Sequence, residues 1–323
     1  MSAPPDEFAW IARLRPLTRG DARALGLADD AAVLPGRPGF DLVISKDAMV
    51  EGVHFLVGEA AETIARRLIR TSLSDLAAKA AESFGYLLMT AWPEGRDWAW
   101  REAFIRGLAI EGKSFGVALL GGDTVATPGP LTLSATVLGW APAGGAILRA
   151  GARAGDALFV CGTVGDGWLG LRAARGEIAD PGGALADRYR LPTPLLTLRQ
   201  ALRDHAHAAA DVSDGLIADA RHVAEANGLG LAIDLDRLAL SPEATVWLAT
   251  QPDEAAARLA LAVGGDDYSI VCAVDPGHEE TFGKAVQARG VAVTKIGRFT
   301  KAAGLAVTAG GVPILPDRLG WRH

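Results

Sequence analysis

The sequence predicts two consecutive domains of mixed α/β (α+β) character, on three observations. The chain has 323 residues, enough for two ordinary domains, and half of them are hydrophobic, so each domain can bury a core. Strand-like and helix-like patterns are mixed in both halves. Pro142, Gly144 and Gly145 interrupt the patterning near the middle, dividing the chain into residues 1–141 and 146–323.

The elements follow in order. Residues 8–16 have the pattern of a short amphipathic helix, and residues 41–45 that of a strand. Over residues 62–80 apolar side chains recur at helical spacing, as at Ile64, Leu68 and Leu76. Residues 98–112 predict a second helix with Trp100, Phe104 and Leu108 on one face. Residues 117–120 predict a short buried strand that ends at Gly121, and 131–140 a strand holding the β-branched Thr132, Thr136 and Val137. In the second half a strand at 157–161 leads through a glycine-rich turn to a helix starting near Gly167. A helix at 216–226 is stopped by Asn227-Gly228, and residues 230–235 and 268–274 read as strands.

Composition excludes several classes of function. The formal net charge is −6 and no long run of Lys and Arg occurs, which argues against a nucleic-acid surface. The two cysteines, Cys161 and Cys272, stand in apolar surroundings and form neither a disulfide framework nor a zinc pattern. Residues 1–6 lack the basic start and apolar stretch of a signal peptide, and no run of about 18 apolar residues exists to span a membrane. A cytoplasmic protein is expected.

The chemistry is carried by aspartates, most of them placed where an apolar run stops. They are Asp29 and Asp30, Asp47, Asp75, Asp123, Asp211 and Asp214, and Asp266 and Asp267. So many carboxylates repel one another strongly in one pocket unless cations neutralise them. Oxygen-only ligands suit Mg²⁺, which commonly rests on a few carboxylates plus substrate phosphates, and this points to phosphoryl transfer.

In Gly121-Gly122-Asp123-Thr124 a strand runs into two glycines that permit close backbone approach to a ligand; the alternative is a simple turn with a solvated Asp. Asp211-Val212-Ser213-Asp214-Gly215 precedes a helix. Capping explains one of its acids but not two, and the helix N-terminus could meet a phosphate through Ser213 and its backbone. Asp75 lies in the apolar run Leu73-Ser74-Asp75-Leu76-Ala77-Ala78, where a charge needs a partner, a buried salt bridge being the plain alternative. Lys46 beside Asp47 is either a phosphate contact or an ion-pair partner. Arg149 is either a phosphate clamp or a surface residue, and His54 follows the strand that carries Asp47. The loop Gly162-Thr163-Val164-Gly165-Asp166-Gly167 fits no nucleotide-binding glycine motif and reads as a structural turn. His205 and His207 read as solvated helix residues, and no nucleophile–His–acid order is present.

Taken in order and nearly end to end, these segments resemble the thiamine-monophosphate kinases. That family belongs to a superfamily that also holds aminoimidazole-ribonucleotide synthetase, selenophosphate synthetase and a hydrogenase maturation factor. Further matches are Phe8-Ala9-Trp10-Ile11-Ala12-Arg13, Val50-Glu51-Gly52-Val53-His54-Phe55, Arg149-Ala150-Gly151-Ala152 and Gly264-Gly265-Asp266-Asp267-Tyr268. The resemblance implies an aminoimidazole-ribonucleotide-synthetase-like fold. Its N-terminal domain binds Mg²⁺ and ATP and dimerises; its C-terminal domain closes over the substrate. It implies Mg²⁺ ligands at Asp30, Ser45, Lys46, Asp47, Asp75, Asp123, Asp211 and Asp214, and ATP contacts at Gly121, Gly122, Arg149 and Ser213. Substrate contacts are implied at His54, Asp266 and Trp321.

Departures from the family pattern are Ala28 for Gly, Lys46 for Thr, Asp266 for Glu, and Leu191 and Leu195 where Arg is frequent. A metal contact at Lys46 therefore needs its backbone oxygen. The implied reaction is direct in-line transfer from ATP to thiamine phosphate by a homodimer, with several Mg²⁺ ions and no general base. Two alternatives stand beside it: an enzyme of the superfamily with another acceptor, and a catalytically silent nucleotide- or thiamine-phosphate-binding protein. The reactive cysteine that selenophosphate synthetase carries near its N-terminus and the maturation factor at its C-terminus has no counterpart at either end here.

Overall fold

The structure, a computed structural model, describes residues 7–321; residues 1–6, read above for a signal peptide, lie outside the described residues. Two compact units are present, Met1–Leu76 with Ala81–Gly144 and Ala77–Ala80 with Gly145–His323. Among the described residues no helix is long and apolar enough to cross a membrane.

The first unit contains α1 (Glu7–Leu14), β1 (Phe40–Val50), α2 (Ala61–Ala78), β2 (Glu82–Trp92), α3 (Trp98–Phe115), β3 (Ala118–Ala126) and β4 (Thr132–Pro142). The last two residues of α2, Ala77 and Ala78, belong to the second unit. The strands form one sheet in the order β1-β4-β2-β3. β4 runs antiparallel to β1 and β2, while β2 and β3, joined across α3, are parallel. Helical spacing turns Ile64, Leu68, Ile69, Leu73 and Leu76 of α2 and Phe104 and Leu108 of α3 inward, where all are buried. The two helices cross so closely at Gly107 that a Cβ there would lie 2.3 Å from the Glu62 carbonyl oxygen. Trp10 of α1 packs edge-on against Trp92, which also meets Trp100 and Phe104.

Several elements differ from expectation. β1 extends to Val50 rather than Ser45, and so carries Lys46 and Asp47 within a strand. β3 continues through Gly121-Gly122-Asp123-Thr124 to Ala126, so the expected turn is strand. β2 has no counterpart in the sequence expectation: its burial does not alternate strictly, which removes the period-two signal.

The second unit contains β5 (Ala157–Cys161), α4 (Asp166–Ala174), α5 (Ala184–Arg190), α6 (Arg199–His205), β6 (Ala206–Asp211), α7 (Leu216–Glu225), β7 (Gly230–Asp234), α8 (Pro242–Ala249) and α9 (Glu254–Ala262). It continues with β8 (Ile270–Val274), α10 (Glu279–Gln287), β9 (Val293–Thr300), β10 (Leu305–Ala309) and β11 (Val312–Ile314). Its sheet has seven strands, β11-β10-β7-β9-β5-β8-β6. Successive residues of β5 and β8 alternate between two cores: Leu158, Val160, Val271 and Ala273 join one, and Ala157, Phe159, Cys161, Ile270, Cys272 and Val274 the other. Both faces are covered, so these strands read as continuous apolar runs. α7 lies on the first core through Leu216, Ile217, Ala220 and Val223; Leu202 of α6 and Phe282 and Val286 of α10 lie on the second.

His207 stands in β6, not in a helix, and its Nδ1 is 2.9 Å from an Asp156 carboxylate oxygen. His205 closes α6 and packs its ring against His278 and Phe282, so it is not simply solvated.

Candidate active site

In the first unit, strand alternation on β1 turns Ser45 and Asp47 to the α2 side of the sheet and Lys46 to the exposed side. The Ser45 hydroxyl donates to the Asp75 carboxylate of α2. One helical turn earlier on α2, Ser72 lies beside Asp47, and its hydroxyl donates to the Leu68 carbonyl at 2.8 Å. Burial first, and then the charge of Asp75, push the Asp47 carboxyl up to about 6, with Ser72 opposing. The hydroxyl of Ser134, on β4, fixes the Asp47 backbone by donating to its carbonyl at 2.6 Å. Asp75 therefore has a hydroxyl partner, and its charge acts on Asp47.

Asp123 projects from β3, exposed, and accepts from the Thr124 amide at 2.8 Å. Pairing runs from Asp123 through Met89 and Ser134 to Ala48, which puts Asp123 on the face of Lys46 and opposite that of Asp47. Asp30 follows a 3-10 turn whose Leu27, with Ala32 beyond the acids, packs on the cluster of Ala24, Ala118, Leu120 and Leu138. The first-unit acids thus fall into two sets, Asp47 with Asp75 and Asp30 near the Asp123 strand. Among the described residues no group of three or more His, Cys, Asp or Glu side chains is arranged to hold a metal ion.

The two glycines serve the sheet itself. A Cβ on Gly122 would lie 1.8 Å from the Leu88 carbonyl oxygen, so the close approach there is to β2. The register of β3 on β2 also shifts between Tyr86 and Leu87. His54 accepts from the Val50 amide through Nδ1 at 3.1 Å, so the neutral ring carries its proton on Nε2. Its loop is tied down by Glu51, which takes two hydrogen bonds of 2.6 and 2.7 Å from Arg96, itself stacked on Trp100.

In the second unit the remaining candidates come together. Asp211 closes β6 and is buried, and Ser213 and Asp214 form the turn into α7. The Ser213 carbonyl accepts from the Asp266 amide at 2.7 Å, and the Asp214 carbonyl accepts from the Trp321 amide at 2.8 Å. Asp266 and Tyr268 hold φ of 65° and 53°, a costly conformation that persists only where the surroundings impose it. Arg149 is exposed on the segment beside β6, and its charge acts on the acid that anchors the Ser213 turn.

That acid is Asp219, which the sequence reading did not single out. It is buried on α7, and its Oδ2 accepts from the amides of Ser213, Asp214 and Gly215 at 3.1, 3.1 and 3.2 Å. Burial, followed by Asp214, pushes its carboxyl up to about 7, while the amides and Arg149 pull it down. The amides at this helix start, expected to meet a phosphate, are thus engaged by a carboxylate of the chain itself. The signal was an acid on an apolar stripe among Leu216, Ala220 and Val223. Asp267 was noted only as the neighbour of Asp266. It is buried and accepts from the amides of Gly165 and Gly167, which makes the 162–167 loop a held turn.

Residues 28–141 match the N-terminal domain, and residues 153–310 the C-terminal domain, of AIR synthase related proteins. The chain is 59% identical to a thiamine-monophosphate kinase of Caulobacter vibrioides over all of this chain and 92% of that one. A crystal structure of thiamine-monophosphate kinase from Stenotrophomonas maltophilia K279a is 34% identical, with a TM-score of 0.82 over 93% of this chain and 96% of that chain. AaThiL complexed with AMPPCP and TMP is 26% identical, with a TM-score of 0.78 over 98% of this chain and 96% of that chain. The chain belongs to the AIR synthase related protein family and, within it, to the thiamine-monophosphate kinases.

Proposed function

We propose that this chain transfers the γ-phosphate of ATP directly to thiamine phosphate, giving thiamine diphosphate and ADP, with Mg²⁺ held by its aspartates. The observation that carries the reading is 59% identity to a thiamine-monophosphate kinase along the whole chain. The like-charged Asp47 and Asp75 beside the Ser45 hydroxyl fit a hard cation, because among the described residues no ion-pair partner relieves their mutual repulsion. Asp30, Asp123, Asp211 and Asp214, with the Lys46 backbone oxygen, complete the proposed ligands. Bound magnesium supplies positive charge between two phosphate groups that otherwise repel.

The residues of the chain bind and orient. Arg149 holds phosphate oxygens through its guanidinium, Ser213 contributes its hydroxyl, and the backbone at Gly121 and Gly122 borders the nucleotide. His54, presenting Nε2–H, contacts the acceptor phosphate, and Asp266 and Trp321 contact the rest of the acceptor. The acceptor is already ionised near neutral pH, so no side chain has to remove a proton, and catalysis is positioning plus electrostatics. A homodimer is supported by the apolar side chains Leu42, Ile44 and Val125, all exposed on one face of the first unit's sheet.

The test is ADP release coupled to a reporter, with thiamine phosphate and MgCl₂. We expect turnover in the wild type and a loss of about 100-fold or more in Asp47→Asn and in Asp123→Asn, with the fold retained by circular dichroism. Near-normal turnover in both variants would sink the metal assignment. ADP release only with another acceptor would overturn the substrate, and binding without ADP release would make the protein a silent binder.

A further inference from the structure

Helix α7 is fastened at both ends to the segments assigned above to ATP. At its start, three consecutive amides, those of Ser213, Asp214 and Gly215, converge on one oxygen of Asp219. Past its end, the Asn227 side chain makes two hydrogen bonds to a different stretch of chain. Its Oδ1 accepts from the Gly151 amide at 2.7 Å, and its Nδ2 donates to the Arg149 carbonyl at 2.9 Å. Nδ2 also donates to the Val223 carbonyl at 2.7 Å, which ties the side chain to its own helix. The same segment is pressed onto β6. The Ala209 amide donates to the Leu148 carbonyl at 2.9 Å, and a Cβ on Gly151 would lie 2.3 Å from the His207 carbonyl oxygen.

Capping of α7 accounts for the Asp219 grip but not for that of Asn227. A cap satisfies the first amides of its own helix, whereas Asn227 engages residues 76 and 78 positions away. An exposed Arg on a loop loses much of its affinity for a phosphate to the entropy of ordering that loop. Fixing the carbonyl of Arg149 and the amide two residues on removes most of that loss before the ligand arrives.

We propose that Asn227 and Asp219 are positioning residues for ATP: α7 is a rigid bar that sets the spacing between the Arg149 segment and the Ser213 turn. This rests on the ATP reading of Arg149 and Ser213. It adds two residues that need not touch the nucleotide and act through the loops they hold.

The test compares Arg149→Ala, Asn227→Ala and Asp219→Ala in the full-length protein. Steady-state kinetics with each substrate varied are paired with direct titration of a non-hydrolysable ATP analogue. Asn227→Ala is expected to raise the KM for ATP and the analogue Kd by about 10-fold or more, with the KM for thiamine phosphate within about twofold. Asp219→Ala should weaken the analogue in the same way. If Asn227→Ala is recovered unfolded, Asn227→Asp carries the same test, since it keeps the acceptor for Gly151 and loses the donor to Arg149. An unchanged analogue Kd in a folded Asn227 variant, or an equal rise in KM for both substrates, overturns the inference, provided Arg149→Ala weakens ATP. If Arg149→Ala leaves ATP binding unchanged, the ATP reading of that segment has failed instead.

Discussion

At the scale of single residues, Asp47 and Asp75 are set close together, with no ion-pair partner among the described residues. Asp47 is held up to about 6 by burial and by Asp75. An unfolded Asp titrates near 3.9. The native state therefore keeps a proton to higher pH than the unfolded chain, and metal-free stability falls as pH rises from about 4 to about 6. Asp75→Asn removes the repulsion. It should flatten that decline and, without Mg²⁺ at pH 7, raise stability by roughly 1 kcal/mol, read by urea unfolding. Added MgCl₂ should raise the melting temperature of the wild type and do so much less in Asp75→Asn. An equal rise in both would exclude a cation at this pair. The glycines show a different residue-scale constraint: Gly122 has no side chain because the β2 backbone occupies that space.

At the scale of elements, two turns of the second unit are held by buried carboxyl groups that accept from backbone amides. Asp219 holds the start of α7, and Asp267 holds the loop that begins α4 through three contacts of 3.0, 2.8 and 2.9 Å. Burial pushes the Asp267 carboxyl up to about 8, and the amides of Gly165 and Gly167 oppose that. At pH 9, where the carboxyl is ionised, Asp267→Asn would replace an acceptor with an amide donor facing one of these N–H groups. We expect a loss of about 1–3 kcal/mol in urea unfolding. A change below about 0.5 kcal/mol would mean the loop is held by its other contacts. The neighbouring backbone at Asp266 and Tyr268 is held at positive φ by the Ser213 and Val212 carbonyls, which accept their amides.

At the scale of the molecule, the sheet of the first unit leaves three large apolar side chains exposed on the face that also carries Lys46 and Asp123. Ile44 is 57%, Val125 44% and Leu42 39% exposed, and cross-strand register places all three on one side. The proposed homodimer would use these side chains as its association surface. Sedimentation should give twice the 33.5 kDa chain mass, and Ile44→Glu should shift the protein to monomer. A wild-type monomer at micromolar concentration would refute this.

The sequence by itself determined the two-domain α/β class, the helices α2, α3 and α7, and the order of the aspartate segments. Each rests on local pattern: helical spacing, a strand ending in a turn, a Pro and Gly break. Tertiary structure decided which acids meet. Ser45, Asp47, Ser72 and Asp75 come together because β1 and α2 pack face to face, a contact spanning about 30 residues of chain. The sequence could not show that Lys46 and Asp123 share the opposite face, because cross-strand register fixes that and local pattern does not. Asp219 and Asn227 stayed hidden for the same reason: their partners are backbone amides and carbonyls, which every residue has and which only folding makes specific.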